Sequence, residues 1–125
     1  MPQYDDARFS PAAPVAKVIL RVPNSDAPPA EALMLIDSGA DVTLLPQAAV
    51  SFLGIEGDTG EVYHLTGFDG SKSLSRAVRV NLILGQKTLR GRYLVIDQEW
   101  GILGRDILNF LRLTLDGPNQ SWEER

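Results

Sequence analysis

Short apolar runs separated by turn-forming residues recur along the whole chain. Residues 15–22 have the composition of a strand, and residues 31–36 form a second apolar run that leads into Asp37. Apolar runs of this length, bounded by Pro, Gly, Asn and Asp, are typical of β-strands. With more such runs downstream, the pattern predicts a mostly β domain that closes as a barrel or a sandwich.

Two hairpins are predicted in the middle of the chain. The first covers residues 61–74, and its tip lies at residues 67–70 between two glycines. The second joins residues 77–84 to residues 87–96 through a two-residue loop that begins with Gly85. A glycine in the first position of such a loop suits a type II′ turn.

Helical patterns are short. Pro46 and Gly54 bracket one helix, because Pro favours the start of a helix and Gly its end. The apolar run that begins at Trp100 is expected to pass through Gly104 into a second, shorter helix. A last strand is predicted over residues 112–115. Residues 1–13 are expected to form a flexible arm, residues 14–117 the domain, and residues 118–125 a polar tail.

Composition narrows the possible chemistry. The chain has 125 residues, a net charge of -4, no cysteine and one histidine. Disulfides, thiolate metal sites and cysteine nucleophiles are excluded, and a Ser-His-Asp triad is improbable. Scattered basic residues argue against nucleic acid as a partner, and no run is long enough for a membrane span. The N-terminus lacks the pattern of a signal peptide, so a cytoplasmic location is expected.

Two short motifs carry the candidate chemistry. In the first, a strand delivers Asp37 onto the turn Asp37-Ser38-Gly39, where a buried carboxylate would need a partner or a function. The triplet alone also suits an ordinary turn. The second motif is Ile102-Leu103-Gly104-Arg105-Asp106, between an apolar strand and a helix. In this order and spacing, the pair resembles the retroviral-type aspartic proteases (retropepsins) and their cellular and bacterial relatives.

The resemblance implies the acid protease fold, a closed β-barrel with a flap hairpin and one or two short helices. It also implies a homodimeric aspartic endopeptidase, since each chain of this family contributes one such triplet. Two copies of Asp37 would face each other across a two-fold axis and activate a water molecule. The expected partners are a peptide or protein substrate and a second copy of the chain. Neither a metal nor a cofactor is expected.

Further roles follow from the same resemblance. Ser38, Gly39, Asp41 and Arg105 match residues that support the catalytic aspartate, and Asp41 pairs with Arg105. The residues expected to bind substrate are Ala40, Val42, Gly67, Phe68, Asp69, Gly70, Trp100 and Ile102.

Alternative interpretations stay open. The chain could be an inactive or weak retropepsin-like module that binds peptides or dimerises, or a monomeric barrel that only carries the motif. Trp100 is as consistent with packing as with a pocket wall, and the pair of Asp41 with Arg105 could be purely structural. His64 has no second ligand or nucleophile and is interpreted as a strand residue without a chemical role.

Overall fold

The computed structural model describes residues 2–55, 62–66 and 72–125. Within these ranges the chain forms short and long strands with two small helices. In chain order, the elements are β1 (Tyr4–Asp5), β2 (Ala13–Arg21), β3 (Ala30–Ile36), β4 (Leu44–Pro46), α1 (Gln47–Leu53), β5 (Val62–Thr66), β6 (Lys72–Leu84), β7 (Lys87–Ile96), β8 (Gly101–Leu103), α2 (Arg105–Leu108), β9 (Leu113–Asp116) and β10 (Ser121–Glu124).

Six strands close into a barrel. Their order is β2-β3-β8-β4-β7-β6, and the barrel closes because β2 also pairs with β6. Most neighbours are antiparallel, but β8 lies parallel to β3 and β4 lies parallel to β7. The prediction of a mostly β, closed barrel with two short helices is confirmed.

The barrel core follows the two-residue period of its strands. In β2 the side chains of Ala16, Val18 and Leu20 are buried, and the residues between them face outward. The neighbouring strand β6 contributes Val80 and Leu82 to the same cluster. Burying a side chain of this size contributes about 1.5–3 kcal/mol, so the alternation stabilises the barrel in one register.

One long strand takes part in both predicted hairpins. Strand β6 pairs with β5 through its first residues and with β7 through its second half. No Gly or Pro interrupts it, which explains why it continues through the point where the sequence suggests two separate strands. The turn into β7 has Gly85 at φ 58, while the positive-φ non-glycine residues are Asn24 and Gln120. A positive φ at the first loop position, with none at Gln86, agrees with the predicted type II′ turn.

Both helices lie close to their predicted places. Pro46 is the N-cap of α1, so the helix begins one residue later than predicted, and Gly54 ends it in the left-handed conformation at φ 70. Gly104 precedes α2, as the second motif predicts. Among the residues that the structure describes, no helix is long and apolar enough to cross a membrane.

The terminal segments pack on the barrel, which differs from the flexible arm and polar tail expected from the sequence. Strand β1 pairs with β2, and β10 forms a hairpin with β9. Trp122 is 4% exposed, and its indole N–H donates to the carbonyl of Val15 at 2.8 Å. Trp122 is a single buried aromatic residue in a charged segment, so the sequence shows no periodic pattern of apolar residues that would predict its burial. The domain limits at residues 14 and 117 stay a prediction.

Candidate active site

The two motifs meet because the strands that precede them are neighbours. Strand β8 lies parallel to β3, with Ile36 opposite Leu103, so both strands end at the same edge. The backbone N–H of Asp37 donates to the carbonyl of Leu103 at 3.1 Å, which continues the pairing by one residue. The turn after β3 and the start of α2 therefore lie side by side.

The Asp37 carboxylate is held at one oxygen. The backbone N–H of Gly39 donates to its Oδ1 atom at 2.9 Å, and the N–H of Ala40 closes the turn on the Asp37 carbonyl at 3.1 Å. A Cβ atom at position 39 would lie 3.2 Å from Oδ1, so glycine leaves room beside the carboxylate. Among the described contacts Oδ2 has no donor. The half-buried carboxylate is thus oriented but keeps one oxygen available.

Arg105 clamps this turn from the second motif. One guanidinium nitrogen donates to the carbonyl of Ser38 at 2.8 Å, and the other forms an ion pair with Asp41. The backbone N–H of Arg105 also donates to the carbonyl of Ala40 at 2.9 Å. The side chain of Arg105 is 44% exposed and that of Asp41 is 81% exposed. An ion pair this exposed contributes at most about 1 kcal/mol to the free energy of unfolding. The predicted pair of Asp41 with Arg105 is present, and its main effect is to hold the turn in place.

A buried hydroxyl beneath the turn was not identified from the sequence. Thr43 is completely buried, and its Oγ1 atom donates to Asp106 Oδ1 at 2.6 Å. The same atom accepts the backbone N–H of Gly104 at 3.0 Å, while the N–H of Thr43 donates to Asp106 Oδ2 at 3.1 Å. Three hydrogen bonds thus join Thr43, which follows the Asp37 turn, to the second motif. The sequence does contain a signal for this buried hydroxyl, because Thr43 is a polar residue inside the apolar run after Asp37.

Gly104 permits this close approach. A Cβ atom there would lie 2.5 Å from the carbonyl carbon and 2.5 Å from the oxygen of Val42. Its φ of -91 is accessible to any residue, so the requirement for glycine is steric and not conformational.

Tyr93 lies near the same network. Its hydroxyl donates to the carbonyl of Leu89 at 2.9 Å. Burial, together with the negative charge of Asp106, raises the pKa of Tyr93 to about 12. Both causes disfavour a phenolate beside this carboxylate.

The residues predicted to bind substrate are distributed unevenly. Ala40, Val42 and Ile102 keep partly exposed side chains beside the turn. Trp100 is also partly exposed, and its ring contacts Phe9 edge-on with centroids 5.0 Å apart. This contact favours a packing role for Trp100. The predicted flap-tip residues Gly67, Phe68, Asp69 and Gly70 lie outside the described residues.

The arrangement offers the chemistry of an accessible carboxylate fixed on a rigid turn. Such a group can accept a proton from a bound water molecule or, when protonated, donate one to a carbonyl oxygen. In the part of the chain that is described, no three His, Asp or Glu side chains are grouped to hold a metal ion.

Comparisons with known proteins support the fold. No family model and no curated protein matches this chain. Among solved structures, it is similar to the retroviral EIAV protease in complex with the inhibitor HBY-793. The two share 26% sequence identity over 85% of this chain and 91% of that chain, with a TM-score of 0.52. The similarity extends over most of both chains, so this protein has a retropepsin-like fold, as predicted.

Proposed function

We propose that this protein is an aspartic endopeptidase whose active site forms from two copies of the chain. The observation that carries the proposal is the Asp37 turn. Its carboxylate has one oxygen anchored by Gly39 and the other without a donor among the described contacts. Asp37-Ser38-Gly39 is the one such triplet that follows an apolar run, because Asp58-Thr59-Gly60, outside the described residues, follows Gly-Ile-Glu-Gly in the sequence. In this proposal the second carboxylate comes from Asp37 of a second copy.

The proposed mechanism uses the two Asp37 carboxyl groups in different protonation states. Like charges a few ångströms apart cannot easily both ionise, so the pair holds one shared proton. The ionised group takes a proton from a water molecule as its oxygen attacks the scissile carbonyl carbon, while the protonated group donates to the carbonyl oxygen. When the tetrahedral intermediate collapses, the C–N bond breaks, the carboxyl proton passes to the leaving amine, and one hydroxyl proton of the intermediate passes to the other carboxylate. The pair then again holds one proton.

The surroundings of the turn suit an extended peptide. Gly39 has no side chain to keep a substrate backbone away from the carboxylate, and Ala40, Val42 and Ile102 offer small or apolar surfaces for its side chains. A peptide in this position would be held as a strand, with main-chain hydrogen bonds for affinity and side-chain pockets for specificity. In this proposal, the hairpin of β5 and β6 acts as the flap.

The test is a digest of a proteome-derived peptide library, read by mass spectrometry. Wild type should generate new peptide termini, and Asp37→Asn should lose about a hundredfold to ten-thousandfold in rate, since the amide cannot act as the base. Asp26→Asn, in the exposed loop between β2 and β3, is the matched control and should cleave like wild type.

Cleavage by Asp37→Asn at the wild-type rate would refute the assignment of the catalytic residue. Peptide binding by wild type without any hydrolysis would instead favour the alternative of a non-catalytic peptide-binding module.

A further inference from the structure

Basic residues are concentrated on three neighbouring strands of the barrel. Strands β2, β6 and β7 contain eight of the chain's 12 basic residues, two in β2 and three in each of the others. They contain none of its 16 acidic residues. Because the whole chain has a net charge of -4, the rest of the molecule is strongly acidic. This wall of the barrel is therefore cationic, although its basic residues are scattered along the sequence.

The strand register brings four of the arginines together. Residues 79 and 81 of β6 face outward, because their neighbours in the strand are buried. Arg79 lies opposite Arg92 of β7. Asn81 lies between its two cross-strand partners, Arg21 of β2 and Arg90 of β7. The Cβ atoms of directly opposite residues are about 5 Å apart, and like charges at such positions destabilise a sheet. An anion bound among these guanidinium groups would offset that repulsion.

Two of the four guanidinium groups have no acidic partner in the part of the chain that the structure describes. Arg21 and Arg90 are exposed and form no salt bridge there. Asp26, in the loop that follows Arg21, does not pair with either of them. Elsewhere on the same wall, Lys17 and Lys87 each have a glutamate partner, at 4.0 and 2.9 Å. The positive charge that is not neutralised therefore lies at the arginines.

A polar cavity of about 320 Å³ opens among these side chains. Its lining includes Pro23, Asn24, Arg79, Asn81, Arg90 and Gly91. No acidic side chain is among its described lining residues, and small-ligand sites begin at about this volume. The planar guanidinium group presents pairs of N–H donors whose spacing matches the oxygens of phosphate and carboxylate groups. The cavity thus combines the size and the donors of a site for a compact anion.

We propose that this cavity binds a phosphate group, either as free phosphate or as the phosphate of a small monoester. A phosphate dianion is compact, and its oxygens can accept hydrogen bonds from both lining guanidinium groups at once. A nucleic acid strand fits this wall less well, because the one aromatic residue of the three strands, Tyr93, is buried and cannot stack on bases. None of the lining residues belongs to the two motifs, so the phosphate site is additional to the proposed active site.

Isothermal titration calorimetry with inorganic phosphate at pH 8 tests the site. Sodium chloride keeps the ionic strength constant during the titration, so that general screening of the charges does not change. Wild type should bind phosphate saturably. Succinate, a dicarboxylate of similar charge, should bind about tenfold more weakly, because its two charges lie too far apart for two guanidinium groups to share one of them.

Variants of the lining arginines assign the site to this cavity. Arg90→Gln should weaken phosphate binding about tenfold, since it removes a charge-assisted hydrogen bond. Arg90→Lys keeps the charge without the planar fork and should weaken binding less. Arg79→Gln alters the same cavity and provides a second measurement if circular dichroism shows that Arg90→Gln is unfolded.

Arg112→Gln is the matched control. Arg112 is exposed and precedes β9, outside the three strands, so its substitution removes one positive charge without altering the cavity. It should bind phosphate like wild type.

Ribose 5-phosphate distinguishes the two sources of the phosphate group. Tighter binding than inorganic phosphate would support a monoester as the ligand, and weaker binding would support free phosphate. Phosphate binding no tighter than that of succinate, or unchanged in both Arg90→Gln and Arg79→Gln, would overturn the site. Binding of an oligoglutamate peptide without binding of phosphate would also overturn it and would indicate a docking surface for an acidic protein. Since no measurement uses a peptide substrate, a protein that cleaves no peptide but binds phosphate would still support this site.

Discussion

The side chains of Thr43 and Tyr93 both interact with the carboxylate of Asp106, the first through a hydrogen bond and the second electrostatically. Thr43 donates to that carboxylate, and Tyr93 donates elsewhere, to the carbonyl of Leu89. A carboxylate that already accepts two hydrogen bonds from residue 43 is an unfavourable neighbour for a second negative charge. Ionisation of Tyr93 should therefore lower the free energy of unfolding of the protein.

This linkage predicts loss of stability at high pH. The pKa of Tyr93 is raised by burial and by the charge of Asp106 to about 12 in the folded protein, against 10.0 ordinarily. The unfolded chain therefore releases the proton first, so the contribution is complete below pH 10 and is lost as the pH rises toward 12. Tyr93→Phe should be less stable than wild type by about 1 kcal/mol at pH 8, through loss of one hydrogen bond.

Urea denaturation at pH 8 and pH 11 provides the measurement. The stability difference between wild type and Tyr93→Phe should shrink at pH 11, because only wild type carries this ionisable group. An equal difference at both pH values would contradict the linkage.

At the scale of elements, the site depends on how closely the start of α2 approaches the chain before β4. Position 104 has backbone atoms of Val42 where a Cβ atom would lie, and the Thr43 hydroxyl accepts the N–H of Gly104. The approach is what allows Arg105 to reach the carbonyl of Ser38. A methyl group added at position 104 would push the second motif away from the Asp37 turn.

Gly104→Ala should therefore destabilise the protein by about 1–3 kcal/mol, or more where the backbone has to move, and displace the Asp37 turn. Gly117→Ala is the control, since nothing lies within 4 Å of a Cβ atom there. Thermal unfolding of the two variants gives the comparison. A melting temperature for Gly104→Ala equal to that of Gly117→Ala would show that the junction tolerates a side chain.

For the whole molecule, the proposed reaction needs two chains and the structure describes one. One Asp37 carboxylate cannot act as base and acid at the same time in the mechanism proposed above. Activity should therefore follow the population of dimer, which depends on protein concentration.

Specific activity should rise with protein concentration and then reach a plateau. Adding excess Asp37→Asn protein to a fixed amount of wild type should lower the activity, because mixed dimers hold one carboxylate. The same excess of Asp26→Asn should not lower it. Specific activity that is constant under dilution, together with no inhibition by Asp37→Asn, would indicate a site complete in one chain.

Local patterns were sufficient for most of the elements. Three signals act over a few residues and can be interpreted without knowing the fold: the strand composition of residues 15–22, the glycine at position 85, and the bracket of Pro46 and Gly54. The first and second motifs were also recognisable together. Their resemblance to the motifs of the retropepsins predicted the retropepsin-like fold.

Long-range contacts could not be obtained in this way. The burial of Thr43 against Asp106 joins residues 63 positions apart, and Trp122 reaches Val15 across 107 positions. Neither segment has a period that distinguishes it from an exposed strand or a tail. The sequence by itself determined the strands, the turns and the candidate carboxylate. Only the tertiary structure decided what supports that carboxylate and where the two chain ends pack, because both depend on side chains and termini that meet after the barrel has closed.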